Sequence, residues 1–292
     1  MLPRLLRPTI RQQRVTIHLR CLSTAPSTPH AFLSRSNDPK NSGISFLTLD
    51  RPAAKNSLSV QLLQDFRAAL DEVRFDGTTR ALIINSSTPA VFCAGADLKE
   101  RRGMSQLQVA QFLYNLRQML GELDSLPAPT IAALDGAALG GGLELALACD
   151  LRVASLSANK LGLPETRLAI IPGAGGTQRL SRLIGVSRAK DLIFTSKVLS
   201  AQQAHELGIV NYLADEGQSA TERAVVLAQE VLKAGPLALR AAKLAIDTGS
   251  QLDLESGLDF EATCYQTILK STDRLEGLKA FAEKRPPVYK GE

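Results

Sequence analysis

Up to about residue 215 the chain alternates short apolar runs with segments of helical period, and past that point the short runs stop. Ile44–Asp50 alternates apolar and polar residues and ends at Arg51-Pro52, as a strand does. Arg80–Asn85 is almost wholly apolar, which suits a strand covered on both faces. Thr130–Leu134 and Leu151–Ala154 read as strands too. Between them, Leu58–Arg74 places Leu58, Leu62, Leu63, Phe66, Leu70 and Val73 at helical spacing, with Ser57 or Ser59 as cap. Gln106–Asp124 is a second helix, and Gly140–Gly142 opens a third that runs through Cys149. This alternation predicts an α/β body with crossover connections. The helices that follow it are Ala220–Lys233, Pro236–Asp247, Leu252–Leu269 and Asp273–Glu283. The implied organisation is a leader over residues 1–36, an α/β core over 37–215 and a helical region over 216–292.

With 292 residues, 45% of them hydrophobic, the chain can bury a sizeable core, and wholesale disorder or a fibrous rod is excluded. The formal charge of +5 misleads about partners. Residues 1–40 carry seven basic groups against Asp38 alone, which leaves 27 basic and 28 acidic groups for the rest. Nucleic-acid binding argued from overall charge therefore has no basis. The leader is rich in arginine and hydroxyl residues and poor in acids, the composition of a mitochondrial transit peptide, so the expected location is the mitochondrial matrix. Arg7, Arg11 and Arg14 interrupt every apolar run that could serve as a secretory signal. The most apolar later window, Ile131–Cys149, contains Asp135 and Glu144, each costing about 2.5–3.5 kcal/mol near a bilayer centre, and no membrane span is expected. The four cysteines are scattered without a CxxC pair, which argues against a disulfide framework or a zinc site.

Most familiar catalytic patterns fail. Gly140 and Gly142 are followed by Leu145, and Gly173 and Gly175 by Gln178, where a dinucleotide fingerprint needs another glycine. There is no Gly-Lys-Ser/Thr and no G-x-S-x-G. His18 and His30 lie in or beside the leader, and His205 reads as a solvent-facing helix residue, so no metal site is expected. What remains is a pair of glutamates in apolar, glycine-rich surroundings. Glu144 follows Gly140-Gly141-Gly142, and Glu165 precedes Pro172-Gly-Ala-Gly-Gly176. Desolvation there would raise a carboxyl pKa toward the range useful for proton transfer. The glycines allow close ligand approach and leave amides free at a helix start, where an anion is favoured. Either acid alone could simply complement a helix dipole. A third segment, Val91–Glu100, is a small-residue turn able to expose another amide. Spacing alone leaves the reaction open. Glycosidases also pair carboxylates, but they line their sites with aromatics, and this chain has no Trp and four Tyr.

The segments Phe92–Glu100, Ala138–Ala146, Leu163-Pro-Glu165 and Ile171–Arg179, with Arg51-Pro52 and Lys55-Asn56-Ser-Leu, together resemble the enoyl-CoA hydratase (crotonase) family. The resemblance runs from about residue 44 to the C-terminus. It is nearest to a mitochondrial branch that hydrates methylglutaconyl-CoA and is also described as binding AU-rich RNA. It implies a spiral of strand–strand–helix units with a C-terminal helical trimerisation region, assembled as a homotrimer or a dimer of trimers. It also implies that the Ala96 and Gly141 amides form an oxyanion hole for a thioester carbonyl. Glu144 and Glu165 would position and deprotonate a water adding to C3 and deliver a proton to C2. Lys55 and Lys99 are the candidates for contact with coenzyme A. The substrate arrives as a coenzyme A thioester, and no further cofactor or metal is implied.

The expected activity is hydration of a short-chain or branched enoyl-CoA, with 3-methylglutaconyl-CoA of leucine breakdown the specific candidate. Enoyl-CoA isomerisation and straight-chain hydration in fatty-acid breakdown are the alternatives, and a non-catalytic RNA-binding protein is an alternative of another class. In the resembled branch RNA binding is attributed to a lysine-rich first helix. Here Leu58–Arg74 has Arg67 and Arg74 against Asp65, Asp71 and Glu72, with no lysine, so RNA binding is not expected. A methylglutaconyl chain ends in a carboxylate, and Arg101 or Arg102 is the cation considered for it.

Overall fold

The computed structural model describes residues 28–292. The leader expected over 1–36 therefore lies, as far as residue 27, outside the described residues.

Strand β1 (Ala31–Arg35) pairs antiparallel with β2 (Ile44–Leu49), Ala31 opposite Leu49. Helix α1 (Val60–Phe75) crosses to β3 (Ala81–Ser86), parallel to β2. Next come β4 (Val91–Cys93), α2 (Leu98–Arg102) and α3 (Gln106–Asp124). They are followed by β5 (Thr130–Leu134), β6 (Ala137–Leu139), α4 (Gly141–Leu147) and β7 (Leu151–Ala154). The chain continues through β8 (Leu161–Gly162), α5 (Gly176–Ile184), α6 (Val186–Phe194), β9 (Val198–Leu199), α7 (Ala201–Glu206) and β10 (Tyr212–Leu213). It ends in α8 (Ala220–Val231), α9 (Pro236–Gly249), α10 (Leu254–Ile268) and α11 (Thr272–Ala282).

Successive strand pairs feed two sheets. One runs β1-β2-β3-β5-β7-β10 and the other β4-β6-β8-β9. Thus β3 with β4, β5 with β6 and β7 with β8 each send one strand to each sheet before a helix, which is the expected strand–strand–helix spiral.

The apolar runs are buried on both faces, as their composition requires. Along β3, Leu82 and Ile84 enter the larger core while Ala81 and Ile83 enter a smaller one, and in β5 Ala132 and Leu134 oppose Ile131 and Ala133 in the same way. Helices α1, α3 and α4 cover the first face. The second face is closed by Ala220, Ala224, Leu227 and Ala228 of α8.

Two expected boundaries move. The body begins before residue 37, because β1 is a full ladder partner of β2 and Ala31 is buried. At the other end the helical region does not separate at 215/216: α8 packs on the main sheet and belongs to the layered body. Helix α9 buries no residue, and α10 buries only Cys264. Among the described residues no helix is long and apolar enough to cross a membrane.

Candidate active site

Three segments meet at the ends of β4, β6 and β8. The first is the turn after β4. Asn56, fully buried, donates to the Phe92 carbonyl at 3.0 Å and to Ser86 Oγ at 2.7 Å, locking residues 51–57 onto β4. Arg51 Nη1 donates to Asp97 Oδ2 at 2.7 Å, and Asp97 caps α2 by accepting the amides of Lys99 and Glu100. Burial opposes ionisation of Asp97, but the Glu100 amide and the Arg51 guanidinium hold its carboxyl below its ordinary value. Leu58 N–H donates to Gly95 O at 2.8 Å and Asp97 N–H to Leu58 O at 3.1 Å. In extended backbone successive amides point to opposite sides, so this bridge turns the Ala96 N–H away from Leu58. Among the described residues it has no acceptor.

The second segment is the start of α4. Gly140 adopts φ +53°, a conformation that favours glycine, and a Cβ on it would stand 2.9 Å from Glu165 Oε1. Gly142 must also be glycine, since a Cβ there would lie 2.1 Å from the Cys93 carbonyl oxygen. The triple glycine thus lets α4 press against both the β4 turn and Glu165. The Gly141 amide begins the helix and, like that of Ala96, has no acceptor among the described residues. A Cβ on Gly141 would be 3.6 Å from Ala96 N, which puts the two free amides side by side.

The third segment carries the acids. Glu144, one turn into α4, is 3% exposed, and its Oε1 accepts the Ala174 amide at 2.8 Å and the Gly176 amide at 2.7 Å. The glycine-rich turn after Glu165 is therefore the holder of Glu144. Burial raises the Glu144 carboxyl above its usual range, and the Gly176 and Ala174 amides with Arg179 oppose part of that rise. Glu165 opens a single 3-10 turn, Glu165–Leu168. Its Oε2 is buried without a hydrogen-bond partner. Burial pushes this carboxyl up to about 7; its own amide opposes the shift and the nearby Glu144 adds to it. The arrangement can hold an anionic oxygen at two amides while a pair of buried acids, both raised above the ordinary carboxyl range, moves a proton beside it.

The structure thus brings Glu144, Glu165, Ala96 and Gly141 to one place. Lys55 and Lys99 are exposed on either side of the β4 turn, with no side-chain partner among the described residues. Arg101 and Arg102 likewise make no described side-chain bond to either acid-bearing segment. His205 is exposed on α7, as expected.

Sequence reasoning missed several supports. Arg152, 4% exposed on β7, donates to Cys149 O at 2.8 Å and Ile209 O at 2.7 Å, and so ties the end of α4 to the sheet with no carboxylate partner among the described residues. Arg179 pairs with Asp124 at 2.9 Å and steadies the turn that holds Glu144, donating to Ala174 O at 3.3 Å. Nothing local in the sequence marks these partners, which lie as much as 57 residues away.

Residues 39–292 match the family described as Enoyl-CoA hydratase/isomerase. The mitochondrial methylglutaconyl-CoA hydratase of Mus musculus is 49% identical over 282 residues, which cover 96% of this chain and 90% of that one. The probable enoyl-CoA hydratase 2, mitochondrial, of Arabidopsis thaliana is 47% identical over 285 residues, 98% of this chain and 94% of that one. The crystal structure of an enoyl-CoA hydratase from Bacillus anthracis superposes with a TM-score of 0.86 at 46% identity, covering 90% of this chain and 100% of the other. The chain belongs to the enoyl-CoA hydratase/isomerase family.

Proposed function

We propose that the protein is an enoyl-CoA hydratase, a hydro-lyase acting in mitochondria on a short-chain or branched enoyl-CoA, with 3-methylglutaconyl-CoA the specific candidate. The observation that carries this reading is the convergence of two unspent amides, Ala96 and Gly141, on two buried carboxyls whose pKa values are raised. The relatives named as methylglutaconyl-CoA and enoyl-CoA hydratases support it.

The amides receive the thioester carbonyl. As water adds to C3, charge builds on that oxygen as an enolate, and two fixed N–H donors stabilise it where it forms; one such donor is typically worth a factor of about 10²–10³ in rate. Glu144, with Oε1 held by Ala174 and Gly176, fixes the water with its other oxygen. Glu165, near neutrality and otherwise unpartnered, exchanges the proton that ends on C2. The acids act as one coupled pair, so the two ionisations belong to the pair. The thioester is the electron sink, and the chemistry asks for no cofactor beyond the coenzyme A of the substrate. Lys55 and Lys99 are the candidates for its phosphates or its adenine end, and their exposure beside the β4 turn supports that reading.

We further propose that residues after α8 form the oligomerisation region of a homotrimer or a dimer of trimers. Support comes from Leu254, Phe281 and Ile246, which are 80%, 87% and 67% exposed on α10, α11 and α9. Large apolar side chains left to solvent on three successive helices are the material from which an association surface is built. An RNA-binding role is not proposed: Arg67 pairs with Glu122 and Arg74 donates to the Glu122 carbonyl, which leaves α1 no free basic stripe.

The test is ultraviolet absorbance of the conjugated thioester on mixing with crotonyl-CoA, methylglutaconyl-CoA and a 3-enoyl-CoA, with products identified by mass. Loss of absorbance with a 3-hydroxyacyl product is expected. Double-bond migration alone would make the protein an isomerase, and no turnover of any of the three would overturn the reading.

A further inference from the structure

The direction of the Ala96 N–H is set by the peptide it belongs to. The carbonyl of that peptide, Gly95 O, accepts the Leu58 N–H at 2.8 Å. A trans peptide points its C=O and its N–H to opposite sides, so whatever holds Leu58 also aims the Ala96 amide. The Ser57–Leu58 peptide is held in turn by an arginine. Its carbonyl accepts Arg51 Nη1 at 3.0 Å, and the same nitrogen donates to Ser57 Oγ at 2.9 Å and to Asp97 Oδ2 at 2.7 Å. One guanidinium nitrogen thus grips the residue before Leu58 and the residue after Ala96, on both sides of the Leu58–Ala96 bridge. Two peptides in series, Ser57–Leu58 and Gly95–Ala96, connect it to the free N–H.

Arg51 is itself firmly placed. Its amide donates to Asn56 Oδ1 at 2.8 Å, and its carbonyl accepts the Asn56 amide at 3.0 Å. Lys55 and Asn56 stand at φ +52° and +54°, a left-handed conformation that lysine disfavours. Such backbone persists where its surroundings over-determine it, and here Asn56 and Arg51 close the segment on itself and on the β4 turn. The ion pair is also sheltered: the Arg51 side chain is 22% exposed and that of Asp97 9%. Asp97 divides its oxygens, Oδ1 accepting the Lys99 and Glu100 amides as the cap of α2 and Oδ2 taking Arg51.

We propose that Arg51 is a positioning residue of the reaction: by fixing Ser57 and Asp97 it aims the Ala96 N–H at the thioester oxygen without touching the substrate. The inference rests on the hydratase reading above. Charge on that oxygen grows as the enolate forms, so a misdirected donor costs more in the transition state than in substrate binding.

The test compares the full wild-type chain with Arg51→Met, Arg51→Lys, Asp97→Asn and a control, Arg67→Met, which breaks the Arg67–Glu122 pair between α1 and α3. In hydration of crotonyl-CoA, Arg51→Met is expected to lose about 10- to 100-fold in kcat with KM little changed, the cost of a small misplacement. Arg51→Lys should recover part of that loss, because one ammonium nitrogen carries three donors for the same three acceptors. Asp97→Asn should resemble Arg51→Met: with its oxygen kept on the α2 cap it turns an N–H toward the guanidinium. A second readout needs no turnover. 4-Dimethylaminocinnamoyl-CoA absorbs at longer wavelength as its carbonyl oxygen is polarised. At saturation its red shift should be equal in the wild type and Arg67→Met and smaller in Arg51→Met and Asp97→Asn. Wild-type kcat and red shift in a folded Arg51→Met or Asp97→Asn would overturn the proposal, as would a loss confined to KM or an equal loss in Arg67→Met. Should Arg51→Met fail to fold, Asp97→Asn decides. A wild-type protein that shifts the band but hydrates no enoyl thioester would refute the hydratase reading, and the spectral comparison alone would then decide the role of Arg51.

Discussion

Glu165→Gln replaces an acid whose ionisation the fold resists with a neutral group of the same shape, and the consequence for stability can be worked out. The carboxyl sits at about 7 in the folded protein against 4.5 for the free side chain, chiefly because it is buried. Between those values the folded state holds a proton that the unfolded state has released, so the wild-type protein loses stability as pH rises from about 4.5 to about 7. At 1.36 kcal/mol per pKa unit, the full shift corresponds to roughly 3 kcal/mol. The side chain keeps 9% of its exposure, and solvent screening reduces this to about 2 kcal/mol. The glutamine variant has no such loss. In urea denaturation at one fixed protein concentration, Glu165→Gln is expected to gain about 2 kcal/mol on the wild type between pH 5 and pH 8. It should gain little below pH 4.5, where both forms are neutral. Groups that titrate independently of Glu165 cancel in the difference; Glu144, coupled to it, loses a like-charged neighbour in the variant. A stability gap independent of pH would refute the idea that Glu165 is held near neutrality by burial.

Further expectations follow from packing. Gly142→Ala would drive a Cβ to 2.1 Å from the Cys93 carbonyl, so α4 must move; a drop of several degrees in Tm and loss of turnover are expected, and a wild-type Tm would contradict the close approach. Arg152→Met removes a buried cation bonded to the Cys149 and Ile209 carbonyls and leaves those acceptors unpaired; a loss of at least about 2 kcal/mol is expected by denaturant titration, and a change under 0.5 kcal/mol would contradict the anchoring role. Ala substitutions at Leu254 and Phe281, both largely exposed, should lower the oligomeric mass seen by light scattering; unchanged mass would remove these faces from the interface.

The long elements were legible because their patterns are strong and local. Five of the six apolar positions at helical spacing lie in α1, Leu58 falling just before its cap, and Ser59 caps it as the sequence suggests, accepting the Leu62 amide at 3.2 Å. The run that became β3 announced a strand hidden on both faces, and that of β5 a strand whose two buried faces only the packing reveals. The second sheet was far less visible, since β8 and β9 are two residues long and a pair of residues has no period. β1 lies inside the stretch read as leader, where basic composition outweighed the short alternation of Ala31–Arg35. Both acids and the glycine-rich turns stood out by their odd surroundings. That the turn after Glu165 serves Glu144, through amides 30 and 32 residues away, is a fact of three-dimensional closure that no local pattern encodes.

The joint action of the acids is tested most directly by hydration rates for Glu144→Gln, Glu165→Gln and the double variant, each checked for wild-type folding by circular dichroism. A positioned acid or base contributes about 10²–10⁴ in rate, so each single change should cost at least that much. Because the two carboxyls serve one water and one proton, the double variant should be scarcely worse than the poorer single one. Losses that multiply, or a folded variant that turns over at the wild-type rate, would show that Glu144 and Glu165 do not work as a pair.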